Sequence, residues 1–97
     1  MPEETAQILR TRYVRHDGIE SEDTGQEVLV YLPGGDRTLY LNDTAAIVWR
    51  LCGGEYSGEE IAEMLEEAYP DAAATIRDEV AATLRGLADQ QLVEARD

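Results

Sequence analysis

The residue types that perform most enzyme chemistry are scarce in this sequence and form no catalytic pattern. There is one histidine, His16, one cysteine, Cys52, and two serines, Ser21 and Ser57. This inventory excludes a disulfide within the chain and a zinc site built from several histidines and cysteines. Ser57 is better explained as a helix cap and Cys52 as a small buried hydrophobe. The sequence therefore predicts a protein that is not an enzyme and that uses no metal or cofactor.

Two further kinds of ligand site also lack their sequence patterns. The acidic segment that contains Glu20, Glu22 and Asp23 does not have the ligand spacing of an EF-hand. The glycine pairs Gly34–Gly35 and Gly53–Gly54 are too short to cradle a phosphate, and they match no P-loop or dinucleotide fingerprint. What remains to be explained is a surface that binds another molecule.

Composition limits what that molecule can be. The chain has 97 residues, enough for one small domain, and 43% of them are hydrophobic. It carries 21 acidic residues against eight arginines and no lysine, a formal net charge of −13. Nucleic acids and anionic membranes bind proteins through Lys and Arg, so neither is an expected partner. No apolar run approaches the ~20 residues that cross a bilayer, and the N-terminus lacks a signal-peptide pattern. We expect a cytoplasmic protein.

The order of local patterns predicts an α+β fold in which strands precede helices. We expect a flexible N-terminal arm over residues 1–10, a folded domain over residues 11–94 and a tail over residues 95–97. The predicted strands are Thr11–Arg15, Glu27–Leu32 and Arg37–Leu41, separated by an acidic loop, His16–Gln26, and a turn, Pro33–Asp36. The apolar run EVLVYL predicts that the second strand is central in a three-stranded antiparallel sheet.

Three helices are predicted to follow and to form a bundle. The first, Asp43–Cys52, begins at Asn42 and ends at Gly53–Gly54. The second begins with a capping box between Ser57 and Glu60 and ends at Pro70. The third covers Ala72–Asp89 with Asp71 as its cap, and Gln91–Glu94 forms a short extension.

A peptide-binding surface is predicted where the third strand meets the third helix. Arg37–Leu41 closes the hairpin, so its free edge can pair with an added strand. On the helix, Ala74, Ala81 and Ala88 form a shoulder of small residues beside Arg77 and Arg85, which could pair with carboxylates of a guest. Two alternatives remain open: the shoulder is ordinary solvated surface, or the N-terminal arm or a dimer mate covers the strand edge.

The predicted order of three strands followed by three helices also occurs in winged-helix DNA-binding proteins, which suggests DNA binding as a different function. The recognition helix would then be the third helix. It carries only Arg77 and Arg85, beside Asp78 and Glu79, in a strongly acidic domain. Since phosphate contacts supply most of the non-specific affinity for DNA, charge places a transcriptional regulator second. A small non-catalytic subunit of an enzyme complex is a third hypothesis.

The sequence resembles the PqqD family, also called RiPP recognition elements, over about Tyr13–Val93. The resemblance is carried by the run VLVYLPGG…LYLNDTAAIVWRLCGGEYSGEEIAEMLEEAYPD, and above all by the order and spacing of three segments: Leu41-Asn42 followed by Thr44-Ala45-Ala46, Gly53–Gly54, and the helix end Tyr69-Pro70-Asp71. It implies a small winged-helix-like domain that binds the leader of a ribosomally made precursor peptide and presents it to a modifying enzyme. In biosynthesis of pyrroloquinoline quinone (PQQ), that enzyme is a radical SAM protein.

The resemblance also implies where the leader binds. The leader would add as a strand beside the third β-strand, in a groove walled by the third helix. On this chain the implied peptide-binding residues are Arg37, Thr38, Leu39, Tyr40 and Leu41 on the strand, and Arg77, Ala81, Leu84, Arg85 and Ala88 on the helix. The turn Pro33-Gly34-Gly35-Asp36 differs from the Pro-Glu-Gly turn of quinone-pathway members, so the pathway stays open between a quinone cofactor, a lasso peptide and other products. The protein is expected to be a monomer or a dimer.

Overall fold

The structure, a computed structural model, describes residues 3–25, 27–32 and 37–96. Within these ranges the helices are α1 (Glu3–Arg10), α2 (Asp43–Leu51), α3 (Gly58–Ala68) and α4 (Ala73–Asp89), with a 3-10 turn at Pro70–Ala72. The strands are β1 (Arg12–Arg15), β2 (Glu20–Asp23), β3 (Val28–Tyr31), β4 (Thr38–Leu41), β5 (Gly53–Ser57) and β6 (Val93–Arg96). None of these helices is long and apolar enough to cross a membrane.

The strands form two antiparallel sheets of three strands each. One sheet has the order β2-β3-β4 and is a continuous meander, whereas the other has the order β5-β1-β6 and joins distant parts of the chain. The predicted α+β class is confirmed, and so is the central position of the strand EVLVYL within its sheet. The predicted first strand, however, lies in the second sheet, because β5 and β6 pair with it.

The sequence pattern predicts that Thr38 and Tyr40 lie on one face of their strand and Arg37, Leu39 and Leu41 on the other, and the burial of the β3–β4 hairpin shows this alternation. Val28 and Val30 are fully buried, and their partners across the hairpin, Leu41 and Leu39, pack against the same core. Thr38 and Tyr40 project from the other face and are exposed. Successive side chains in a strand point to opposite faces, so one face of this sheet covers the core and the other meets solvent.

Local capping explains where α2 and α3 begin. The side chain of Asn42 accepts a hydrogen bond from the backbone N–H of Ala45 (2.8 Å), which starts α2 directly after β4. At the start of α3, the Ser57 N–H donates to Oε1 of Glu60 (2.9 Å), and the Glu60 N–H donates to Oγ of Ser57 (3.1 Å). The predicted capping box is therefore confirmed. Asp71 is not the cap of α4, since it lies inside the 3-10 turn and Ala72 occupies the cap position.

Residues 3–10, expected to be a flexible arm, form helix α1 instead. Leu9 is buried in the common core, and Ile8 packs against it. Gly58 permits this contact, because a Cβ at that position would lie 3.0 Å from the backbone oxygen of Ile8 and 3.1 Å from Cα of Leu9. The sequence pattern of this segment is too short to indicate a helix, and tertiary packing stabilises it.

Three strands were missed by the sequence analysis. The predicted loop His16–Gln26 contains β2, whose four residues are all exposed and whose acidic composition is unlike that of a strand. The predicted helix break at Gly53–Gly54 begins β5, and the predicted tail includes Ala95 and Arg96 of β6. Each of these strands forms because a partner strand supplies backbone hydrogen bonds. The predicted turn Pro33–Asp36 lies outside the described residues, and the domain limits 11–94 stay a prediction.

Candidate functional site

The outer edge of β4 is available for an additional strand. The backbone N–H of Leu32 donates to the carbonyl oxygen of Arg37 (2.9 Å), and this bond fixes which residues of the strand face β3. Pairs alternate along an antiparallel ladder, so Leu39 and Leu41 direct their backbone groups toward β3. Thr38 and Tyr40 direct theirs outward. No strand of the described ranges pairs with that side.

The opposite edge of the same sheet is less suitable for pairing. The N–H of Thr24 donates to the carbonyl oxygen of Glu27 (3.0 Å), so the alternation turns the backbone groups of Ser21 and Asp23 outward. This edge carries Glu20, Glu22 and Asp23, all of them exposed. Charged side chains along an edge discourage pairing with a further strand. The two edges of the meander therefore differ in chemistry, and β4 is the receptive one.

An apolar cavity of about 150 Å³ opens beside the end of β4. Its lining comes from three helices: Asp43, Thr44 and Ile47 of α2, Leu65 of α3 with Tyr69 after it, and Ala72, Ile76 and Glu79 at the start of α4. Since α2 follows β4 after a single residue, the cavity lies next to the strand's C-terminal end. A space of this size accommodates about one benzene-sized group. It can therefore receive one apolar side chain of a guest.

The predicted residues of α4 face other elements of the protein. Arg77 forms ion pairs with Glu59 (3.2 Å) and Glu66 (3.2 Å) of α3. Arg85 pairs with Glu4 of α1 (2.8 Å). The small and apolar members of the set are Ala81 and Leu84, which are buried, and Ala88, which is half-buried and lines a cavity with α1 and β1.

The structure thus brings Thr38–Leu41 together on one free edge, with Arg37 exposed at its start, and directs the α4 residues toward α1, α3 and the core. Helix α1, which the sequence analysis did not anticipate, lies beside Ala81 and Ala88 of the alanine shoulder, whereas Ala74 is exposed. The participation of Arg77, Ala81, Leu84, Arg85 and Ala88 in peptide binding stays a prediction.

A second flank of α4 was missed by the sequence analysis. Ile76 and Glu79 line the cavity beside α2, and Thr83 and Gly86 follow them at helical spacing. Thr83 and Gly86 are half-buried, and a Cβ at Gly86 would meet no atom within 4 Å. The signal in the sequence was the small size of Thr83 and Gly86. They lie on the flank of α4 opposite the alanine shoulder that the sequence analysis selected. Periodicity alone does not say which flank is covered.

The titratable groups near the core do not form reactive chemistry. Burial raises the pKa of the Cys52 thiol to about 11, so the thiolate that acts as a nucleophile is disfavoured at neutral pH. His16 lies at the surface, 3.6 Å from Glu94, far along the chain from the β4 edge. Within the described ranges no three His, Cys, Asp or Glu side chains are placed to hold a metal ion. The arrangement is suited to binding.

One protein family matches more than half of the chain. The family model described as "Coenzyme PQQ synthesis protein D (PqqD)" matches residues 26–93, which include β3, β4, α2, α3, β5 and α4. The chain belongs to the PqqD family. Helix α1, β1 and β2 precede the residues that match the PqqD model. No curated protein matches the sequence.

Two solved structures resemble this PqqD-family chain. The PqqD truncation of Methylobacterium extorquens PqqCD, described as a functional and stand-alone RiPP recognition element, is 26% identical with a TM-score of 0.65. The match covers 84% of this chain and 87% of that one. TbiB1, solved in complex with the TbiA(beta) leader peptide, is 21% identical with a TM-score of 0.72. That match covers 87% of this chain and 98% of that one, and it shows a shared fold.

Proposed function

We propose that this protein is a RiPP recognition element that binds the leader of a ribosomally synthesised precursor peptide by strand addition. The observation that carries the proposal is the unpaired outer edge of β4, in a member of the PqqD family whose next helix, α2, lines an apolar cavity. An extended peptide that adds to a sheet edge gains affinity from main-chain hydrogen bonds and specificity from pockets for alternate side chains.

The geometry of β4 defines how the leader would bind. Thr38 and Tyr40 each offer one outward N–H and one outward carbonyl, so the leader forms up to four backbone hydrogen bonds with them. Leader side chains alternate between the two faces of the extended sheet. Those on the core side approach the flank of α4 that carries Glu79 and Thr83, and one of them fills the cavity beside Ile47.

We further propose that the protein is non-catalytic and delivers the leader to a modifying enzyme. The description of the PqqD family supports a role in PQQ biosynthesis or in a related pathway. The proposed modifying enzyme is a radical SAM protein. The burial of Cys52 and the surface position of His16 support a binding role. The proposed site of action is the cytoplasm, and the proposed state is a monomer or dimer.

Substituting proline at an outward-facing position of β4 tests strand addition. Tyr40→Pro removes the N–H that would donate to the leader, while the bonds between β4 and β3 are retained, because proline is tolerated where its N–H would face solvent. We expect the dissociation constant for a synthetic leader of the neighbouring precursor gene to rise about three- to tenfold, the value of one hydrogen bond. Fluorescence anisotropy measures this change.

Ser21→Pro is the matched control, since it makes the same change at an outward-facing position on the other edge of the same sheet. We expect it to leave leader affinity unchanged. Equal affinity of the wild-type protein and Tyr40→Pro, with circular dichroism showing both folded, would contradict strand addition at β4.

A second pair of variants decides which flank of α4 contacts the leader. Thr83→Arg fills the flank beside α2, whereas Arg85→Glu changes the shoulder that α1 covers. We expect the first to weaken leader binding at least about tenfold by steric exclusion, the loss of roughly 1.4 kcal/mol, and the second to have little effect. The opposite result would restore the alanine shoulder as the wall of the groove.

A further inference from the structure

Four of the eight arginines have defined partners within the protein. Arg50, Arg77 and Arg85 form ion pairs with carboxylates, the shortest between Nε of Arg50 and Oδ2 of Asp23 at 2.6 Å. Arg15 donates to the carbonyl oxygen of Trp49 (2.6 Å), and its guanidinium lies 5.8 Å from the centroid of the indole ring. Because the chain has 21 acidic residues and only eight arginines, most arginines are expected to find a partner within the protein.

Three other arginines surround one cleft. Arg10 ends α1, Arg12 begins β1 and Arg96 ends β6, and all three line a cleft together with Gln7, Thr11, Ser57, Glu59, Glu60 and Ala95. They are exposed, and none makes an ion pair with a described residue. Three guanidinium groups that form no ion pair with a described residue are thus concentrated in one place on a protein whose net charge is −13.

The pairing of β1 with β6 places two of these positive charges opposite each other. Arg12 and Arg96 are direct cross-strand partners, so their side chains project from the same face of the sheet. Like charges in this position destabilise a sheet. Arg96 extends over Gly54, where a Cβ would lie 2.5 Å from its Nη1 atom. The Arg96 side chain can lie over position 54 in this way because glycine has no Cβ there.

The two carboxylates that line the cleft are already engaged. Glu59 pairs with Arg77 (3.2 Å), and Glu60 accepts the backbone N–H of Ser57 (2.9 Å). This N–H bond is the main cause of the lowered pKa of Glu60, and the charge of Arg12 adds to it. Neither carboxylate forms an ion pair with the three arginines, so the cleft keeps an excess of positive charge.

We infer that this cleft, bounded by Arg10, Arg12 and Arg96, binds the carboxylates of a short acidic segment on a protein partner. Guanidinium groups pair with carboxylates in a bidentate manner, and three of them can hold neighbouring Asp or Glu side chains. The surrounding surface is acidic, so an extended polyanion such as duplex DNA would be repelled outside the cleft, whereas a short segment would not. A second copy of this chain also carries 13 excess negative charges, which opposes self-association.

The inference does not depend on the leader groove, because the cleft lies on the β5-β1-β6 sheet and the proposed leader edge lies on the other sheet. A protein that holds a leader at one surface and a partner at another could bring the two together. The two surfaces can therefore be tested separately.

Titration of the ¹⁵N-labelled full chain with a hexaglutamate peptide tests the cleft. We expect amide shifts confined to the residues around Arg10–Arg12, Gly54–Glu60 and Ala95–Arg96, with affinity that falls as salt is raised. Arg12→Gln and Arg96→Gln should each raise the dissociation constant about two- to fivefold, as for partly exposed ion pairs. Arg12→Lys, which keeps the charge and loses the bidentate geometry, should fall between the wild-type protein and Arg12→Gln.

Arg37→Gln is the matched control, since it removes an exposed arginine charge that lies outside the cleft, beside the other sheet. An equal loss of affinity in this variant would show non-specific attraction and overturn the site. Inorganic phosphate and a 20-base-pair duplex are titrated in the same way. If either gives the same shifts at a lower concentration than hexaglutamate, the assignment to carboxylates is overturned. Concentration-dependent shifts at the cleft without peptide would identify a second copy as the occupant and overturn the assignment to another protein. Leader affinity should be unchanged in Arg12→Gln and Arg96→Gln, which separates this test from the test of β4.

Discussion

At the scale of single residues, the ion pair between Asp23 and Arg50 connects two parts of the molecule that are distant in sequence. Two nitrogens of Arg50 donate to the Asp23 carboxylate, Nε to Oδ2 at 2.6 Å and Nη2 to Oδ1 at 2.7 Å. Hydrogen bonding from Arg50, supported by the N–H of Gly25, lowers the pKa of Asp23 to about 2. The pair ties β2, the acidic edge strand, to the end of α2.

The lowered pKa of Asp23 predicts how stability depends on pH. Because the folded value lies below the ordinary value of about 3.9, the stabilisation is present above that value and is lost as the pH falls toward 2. When the pH is lowered from 5 to 2.5, we expect the stability of Asp23→Asn to fall less than that of the wild-type protein. The shift of the urea midpoint measures this difference. Arg50→Gln should reduce the pH dependence in the same way. An unchanged pH dependence in both variants would show that the pair contributes nothing in solution.

At the scale of elements, the docking of α1 decides how one side of α4 is used. The helix packs across the start of α3 and along α4, where Leu9 is buried and Glu4 meets Arg85. It lies against Ala81 and Arg85, on the side of α4 that the sequence offered as a groove. The opposite flank, beside α2, carries the exposed Glu79 and the half-buried Thr83 and Gly86.

Two glycine substitutions test this packing. Gly58→Ala places a methyl group 3.0 Å from the backbone of Ile8 and from Cδ1 of Leu84, so α1 or the core has to move. We expect a loss of about 1 kcal/mol in the free energy of unfolding, at the low end for overpacking. Gly86→Ala, which meets no atom within 4 Å inside α4, should gain about 0.5–1 kcal/mol from helix propensity. Urea denaturation measures both changes.

The contrast between the two glycines is the control, since both substitutions add the same methyl group to a helix. A Gly58→Ala variant as stable as the wild-type protein would mean that α1 is not held against α3. Exposure of Leu9 should then appear as faster amide exchange throughout α1.

At the scale of the whole molecule, charge separates a peptide-binding protein from a DNA-binding winged helix. The net charge is −13, and the only concentration of unpaired arginines is confined to one cleft of the described chain. The would-be recognition helix α4 uses Arg77 and Arg85 in ion pairs with Glu59, Glu66 and Glu4. No surface described here offers the continuous row of phosphate contacts that duplex binding requires.

This predicts the outcome of a gel-shift experiment. We expect no retardation of a 20-base-pair duplex at protein concentrations up to about 10 µM in ~150 mM salt, because repulsion by the acidic surface outweighs local attraction by three arginines. A leader peptide should bind under the same conditions. Tight duplex binding would reverse the ranking of the two functions and favour a regulator.

The sequence alone determined those features that depend on short-range chemistry. The capping box of Ser57 and Glu60, the start of α2 at Asn42 and the alternation of Thr38–Leu41 are all encoded within four or five residues, and each is confirmed. Family membership was also readable, because it depends on the order of such local signals, as the match over residues 26–93 confirms.

Only the tertiary structure decided how the chain's ends and flanks are used. Residues 3–10 become helical because Leu9 finds the core, and β1 joins β5 and β6 because three distant segments complete one another's backbone hydrogen bonds. The two sides of α4 differ because α1 docks on one of them, and the arginine cleft exists because β6 returns to lie beside β1. These contacts join residues far apart in the chain, and no local propensity or periodicity specifies which distant partners will meet.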